Sequence, residues 1–315
     1  MSALHAFYGS HGVLTALIVL PLAGTVACLA VRPERARTVA LGVALAAFAI
    51  SLPLFWTFDP LAPGFQNEVA VPWVPDWGIA YRVGLDGISL LLVLLTTFLT
   101  PLAILSTWTS VTRRPRAYYA MMCLLLAGMV GVFVALDLFL FYVFWEVMLV
   151  PMYFIIGVWG HERRVYAAMK FILYTAFGSL LMLVAIVGMW WLHREQTGVA
   201  SFAYLDWLRV EVPPDLQLWL FLAFALAFAI KVPLVPFHTW LPDAHVEAPT
   251  AGSVLLAGVL LKMGVYGFLR FALPFFPAVA LDPWVVRTTL VLALLGILYA
   301  AWVAAVQPDA KKLIA

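Results

Sequence analysis

Of 315 residues, 65% are hydrophobic and 11% are Asp, Glu, Lys or Arg, and the mean hydropathy is +1.03. Such a chain has too little polar surface to clothe a water-soluble globule of this size, which excludes a soluble enzyme and leaves an integral membrane protein. A formal net charge of +2 gives no reason to expect nucleic acid as a partner; where the charges lie says more.

Apolar stretches near the roughly 20 residues that cross a bilayer as helix fall at about residues 12 to 31, 38 to 58, 86 to 110, 117 to 136, 138 to 159, 167 to 192, 217 to 240, 250 to 272 and 284 to 306. A tenth is allowed after Lys312. The runs are continuously apolar and do not alternate, so they predict an all-α polytopic bundle of about nine transmembrane helices, not a barrel. The first run lacks a basic start and a small-residue cleavage pattern, so Met1 is read as the mature start. Cys28 and Cys123 fall inside apolar runs without ligand-spaced partners and read as small core residues, with no disulfide or metal site implied.

Arginines follow the first span (Arg32, Arg35, Arg37), the third (Arg113, Arg114, Arg116) and the fifth (Arg163, Arg164), and Lys311 and Lys312 follow the ninth. These loops are expected on one side. The alternate loops, 59 to 84, 193 to 216 and 273 to 283, hold most of the acids, so the positive-inside bias puts the N-terminus outside the cytoplasm. The stretch 59 to 84 has Pro and Gly around a short alternating run and predicts a surface hairpin of about five-residue strands. Trp73, Trp77, Trp207 and Trp219 are placed as interface anchors, and Asp86 and Asp137 at the outer surface.

Three ionisable groups sit deep in the spans: Glu146 in LFYVFWEVMLVPMYF, Lys231 in FALAFAIKVPLVPFH and Lys262 in SVLLAGVLLKMGVYG. At 1.5 Å per residue, Glu146 lies roughly 12 Å and Lys262 roughly 18 Å into a core about 30 Å thick. A charge there costs several kcal/mol unless paired or hydrated, so these residues are expected to face the bundle interior as an ion pair or a buried polar route. Glu146 and Lys231 could be a structural pair that fixes helix register, but Lys262 has no second mid-span acid and must be neutral, hydrated or part of a longer polar chain. Desolvation lowers a lysine's proton affinity and a nearby carboxylate raises it, so a change in the Glu146 to Lys231 separation would load or release a proton, the two titrating as a coupled pair.

Pro233 and Pro236 remove amide donors directly after Lys231, which predicts a break near 231–236 and unsatisfied carbonyls at the end of the first half-helix. Non-helical backbone at this depth is tolerated only where protein encloses it or water reaches it, and the freed carbonyls are expected to stabilise the lysine's charge. A proline kink with no site is the plainer alternative. His238, just past the break, is read evenly as a proton relay or a structural residue. His245, in PDAHVEAP with Asp243 and Glu247, is placed in a polar loop on the cytoplasmic side, as a proton antenna or simply as loop. Glu162, Arg163 and Arg164 read as topology determinants. There is no phosphate loop, dinucleotide fingerprint, CxxC pair or metal-spaced His pair. Gly258, Gly264 and Gly267 allow close helix packing.

FWEVMLVPMYFIIGVWG, KVPLVPFHTWLPDAHVEAPTAGSVLLAGVLLKMGVYG and LDGISLLLVLLTTFLTPL closely resemble the subunit M/chain 4 family of NADH-quinone oxidoreductase, respiratory complex I, over most of residues 85 to 271. The resemblance implies an antiporter-like membrane-arm subunit that moves protons and carries no redox centre. NADH, flavin, iron-sulfur clusters and quinone are then expected in partner subunits, among them the related subunits L and N. Glu146 matches the family's fifth-helix glutamate, Lys231 its broken-helix lysine and Lys262 its eighth-helix lysine. The family's two inverted five-helix repeats imply N-terminal helices at 1–116, one complete repeat at 117–272 and the start of a second at 273–315, so the chain reads as truncated at its C-terminus. The implied location is a bacterial plasma membrane ahead of a mitochondrial inner one. A multisubunit cation/proton antiporter and a purely structural scaffold are the alternatives.

Overall fold

Nine helices among residues 12–314, the part of the chain that the computed structural model describes, are long and apolar enough to cross a membrane. In chain order the helices that matter here are α1 (Val13–Ala30), α2 (Pro33–Thr57), α3 (Gly87–Ser106), α4 (Pro115–Val134), α5 (Leu138–Trp159), α6 (Arg164–Thr197), α7 (Pro214–Lys231), the short α8 (Trp240–Glu247), α9 (Thr250–Phe275) and α10 (Pro283–Ala305). The expectations for Met1 and Ala315 lie outside the described residues.

The bundle is built around α4, whose apolar window is 83% buried, whereas that of α10 is 0% buried. α4 packs against α1, α2, α3 and α5, and a second layer of α6, α7 and α9 closes around the other face of α5. Small residues set the closest approach. Gly264 and Gly267 lie against Phe228 of α7 and Val232 just beyond its end, and Gly258 against Leu99 of α3, as the sequence predicts, so a methyl group at Gly264 would meet the Val232 amide nitrogen at 2.9 Å.

The basic loops do converge at one end. The Arg37 guanidinium donates to the Trp108 carbonyl at 3.1 Å, the Trp159 indole to the Arg113 carbonyl at 2.7 Å, and the Arg163 amide to the Glu247 carboxylate at 2.9 Å. At the opposite end lies the predicted hairpin, β1 (Gln66–Val74) and β2 (Ile79–Leu85), paired antiparallel. Its strands are nine and seven residues long rather than about five. Gly78, at φ 72°, supplies the left-handed residue of the turn. The extra length arises because β2 is held along its far edge by the α4–α5 connection, where the Leu136 amide donates to the Arg82 carbonyl at 2.9 Å.

That connection overturns two expectations. Asp137 is not at the surface but 1% exposed, accepting from the amides of Leu140 and Ala80 at 3.0 Å each, because a three-residue buried link must satisfy its own backbone and start a helix. Burial pushes its carboxyl up, against the pull of the Leu140 and Ala80 amides. Trp207 is likewise no anchor. It is 1% exposed, packed on Phe202 and Phe275, with its indole donating to the Ser201 carbonyl at 2.8 Å, whereas Trp73, Trp77 and Trp219 are exposed.

Candidate functional site

α7 ends at Lys231 for the predicted reason. Pro233 has no amide to offer the Ala229 carbonyl, and the chain runs without regular helix to Thr239 before α8 begins. The carbonyls it abandons are nevertheless taken up. The Leu234 amide reaches back to Ala229 at 2.8 Å, and the Trp240 indole donates to Ile230 at 2.8 Å. The expectation that freed carbonyls solvate the lysine is therefore wrong: side chain and backbone from beyond the break occupy them first. α8 is docked on α6 by the Lys170–Asp243 ion pair at 2.7 Å, by Tyr174 and Thr239 hydroxyls 2.8 Å apart, and by Phe171 against Trp240.

Lys231 is 1% exposed, and its ammonium has no hydrogen-bond partner. It stands 5.0 Å from the centre of the Trp145 ring, a cation–π contact that compensates part of its desolvation. The next residue, Glu146, is half-buried with Oε1 unpartnered, and no ion pair joins it to Lys231. The direct structural pair is thus absent. α5 is itself interrupted at Met148, two residues from Glu146, because Pro151 cannot donate to the Val147 carbonyl. Each ionisable group consequently sits beside a break in its own helix. Tyr142 and Ser179 complete the surroundings of Glu146. The sequence signal for the second break was Pro151 in FWEVMLVPMYF, which the mid-span charge overshadowed.

His238 is half-buried, with Nδ1 unpartnered and its ring edge against Tyr299 of α10 at 5.3 Å between centroids; no hydrogen bond joins it to Lys231. His245 is buried, and PDAHVEAP is not a loop: its residues form most of α8, since the caps just described let the helix resume. Its Nδ1 is also unpartnered, while Ser253 donates to its carbonyl at 2.9 Å. Pro236 follows a cis bond from Val235. Glu146, Lys231, His238 and His245 thus hold four of the seven unpartnered buried side-chain atoms found among the described residues, so the sequence pattern points to the places where the fold leaves polar groups open.

Lys262 departs from this group. It is exposed, donates to the Ala257 carbonyl, and shares a strip of α9 with Val265 and Leu269, whereas Leu256, Val259, Leu260, Met263 and Tyr266 fill the inward face. A π-helical turn at Leu256–Leu260 precedes it. The expectation of an interior-facing Lys262 fails because depth along a span does not fix direction around it.

A second buried cation, Arg270, escapes the sequence reading. Arg270 on α9 is 8% exposed, ion-paired with Asp86 at 2.5 Å and surrounded by the rings of Phe65, Tyr204 and Tyr266 at 5.1 to 5.7 Å. Asp86 caps α3 by accepting from the Ser89 amide at 3.0 Å. Burial raises its proton affinity, but the Arg270 guanidinium and the Ser89 amide outweigh it and hold the carboxyl below the usual carboxylate range. The signal was a lone arginine in GFLRFALPFF.

The family described as NADH:quinone oxidoreductase/Mrp antiporter matches residues 135–315, and NADH-ubiquinone oxidoreductase chain 4, amino terminus, matches residues 70–136. The chain is 48% identical to NADH-quinone oxidoreductase subunit M of Rhodobacter capsulatus over 90% of its own length and 56% of the relative's. It belongs to the subunit M/chain 4 family of NADH:quinone oxidoreductase. Subunit M of Escherichia coli K12 is 45% identical over 80% of this chain and 50% of its own, so the chain spans about half the length of the curated relatives it matches. A chain of respiratory complex I from Thermus thermophilus superposes with a TM-score of 0.82 at 34% identity, covering 96% of this chain and 61% of that one. The Mrp complex of Dietzia shares the fold, with a TM-score of 0.79 at 22% identity over 96% of this chain and 32% of that one. In subunit M terms, the two breaks and their ionisable residues lie inside the matched antiporter region.

Proposed function

We propose that this chain is a proton-translocating part of the membrane arm of an NADH-quinone oxidoreductase. The carrying observation is Lys231: an amino group buried at the end of a broken helix and held over Trp145 with no hydrogen-bond partner, while Glu146, the residue after Trp145, carries a carboxyl that is also incompletely paired. Fully satisfied groups have no reason to exchange protons, and groups left open in a membrane interior are costly unless a function keeps them so. Lys231 holds the proton. Glu146, next to the Met148 interruption, modulates it as α5 flexes, and His238 and His245 are relay candidates on the far side of the break. Lys262 receives the proton on the exposed strip of α9. NADH oxidation and quinone reduction belong to partner subunits, with subunits L and N as neighbours in a bacterial plasma membrane and the N-terminus outside the cytoplasm. Residues 117–272 form one antiporter-like repeat and 273–315 begin a second.

The test is proton uptake per NADH oxidised in vesicles carrying Lys231→Met in the full-length subunit, after a native gel has shown that the complex assembles. Proton translocation is expected to fall, and NADH oxidation with it. Unchanged assembly, oxidation and proton stoichiometry would make Lys231 a structural residue. Sodium-dependent exchange without NADH oxidation would instead favour an antiporter.

A further inference from the structure

At the basic end of the bundle, a cleft of about 370 Å³ lies between the loop after α3 and the starts of α6 and α9. Its walls include Thr112, Arg113, Trp159, His161, Arg164 and Thr250. Arg113 lies in the loop before α4 and is exposed, while Arg164 opens α6 and is half-buried with one nitrogen donating to the His161 carbonyl at 3.2 Å. Among the described residues, neither guanidinium meets a carboxylate. Glu247, on the α8 side, is already engaged by the Arg163 amide at 2.9 Å, and Lys311 donates to the Val246 and Ala248 carbonyls at 2.8 and 2.7 Å, adding positive charge beside it. Glu162 is exposed to solvent.

Two guanidinium forks without carboxylates, hydroxyls of Thr112 and Thr250, and a concave wall form a receptor for a phosphate group. The position of the cleft decides which kind. Val158 and Trp159 are the last residues of a membrane span, and the Trp159 indole N–H is used by the Arg113 carbonyl, which leaves its ring as an apolar wall. Leu102 and Leu105, on the last turns of α3 leading into this loop, are each 47% exposed and offer a surface to acyl chains. A soluble phosphate would gain nothing from these walls. We propose that the cleft is a binding site for the phosphate headgroup of an anionic phospholipid, held between Arg113 and Arg164 with its chains along α3.

The complex, purified in neutral detergent and stripped of lipid, should be titrated separately with phosphatidylglycerol, phosphatidylcholine and inorganic phosphate while its melting temperature is followed. Phosphatidylglycerol is expected to raise the melting temperature and the other two to leave it nearly unchanged. At about fivefold per arginine, Arg113→Gln with Arg164→Gln should weaken the apparent affinity about twenty-fivefold, and the paired Lys variants should recover most of it. An equal response to phosphatidylcholine, an equal response to inorganic phosphate, or an unchanged affinity in the Gln variant would each overturn the proposal. Should that variant fail to assemble, photoactivatable phosphatidylglycerol on the wild-type complex decides: cross-links are expected within residues 110–113 and 158–164, and cross-links only elsewhere would refute the site.

Discussion

Lys231 and Arg270 are both cations buried inside a membrane bundle, and the fold treats them in opposite ways. Arg270 has an ion pair, a ring of aromatic side chains and a helix cap on its partner; Lys231 has the face of one indole and no hydrogen bond. Arg270, ion-paired with Asp86 and donating to the Tyr266 and Ser89 hydroxyls, is a fastener, joining the hairpin, α3 and α9. A cation left open, beside a carboxyl left open, is a group whose charge state can change. Burial alone therefore does not distinguish these two cations, whereas the count of their partners does.

The sharpest way to break this contrast is to remove each charge in turn. Lys231→Met should lower proton translocation by about tenfold or more, while the assembled complex melts no earlier than wild type, because an uncompensated buried charge has been replaced by an apolar side chain. Arg270→Met should do the reverse, costing about 3 kcal/mol of stability by stranding the Asp86 carboxylate, as thermal melting of the complex will report. If both variants lose stability equally, the contrast is wrong.

Acid offers a milder lever. Asp86 binds its proton less readily in the folded chain than in an unfolded one, so its contribution is complete above the ordinary carboxylate range and disappears as pH falls through its lower folded value, below about 4. Melting followed from pH 6 downward should show a loss in wild type that Asp86→Asn lacks. The smallest effect is expected from Trp240→Phe, which keeps the ring against Phe171 but strips the Ile230 carbonyl of its donor. About 1 kcal/mol of stability should be lost, with proton translocation reduced only to the extent that α8 loosens.

The break after Lys231 was legible because two prolines directly beyond a mid-span charge leave a helix no way to continue. What fills the break was not, since the Trp240 indole is ten residues from the carbonyl it caps and only the folded path brings them together. Arg270 illustrates the same limit at longer range: its meaning depends on Asp86, 184 positions earlier in the chain. Lys262 shows a different one, for hydropathy measures how deep a residue lies but not which way it points. Asp137 and Trp207 were misplaced because loops were assumed to lie on the surface, whereas the connection between α4 and α5 runs beneath the segment at 199–208.

α6 carries one further implication. At 34 residues it is about 51 Å long, against a hydrocarbon core of about 30 Å. Near its start Lys170 grips the half-helix beyond the break, and towards its other end Trp190 is tied to the hairpin turn through the Trp77 carbonyl at 2.9 Å. A stiff rod fastened at both ends behaves as a lever: it cannot lean without dragging the half-helix at one membrane face and the hairpin at the other, so the two faces keep time with each other.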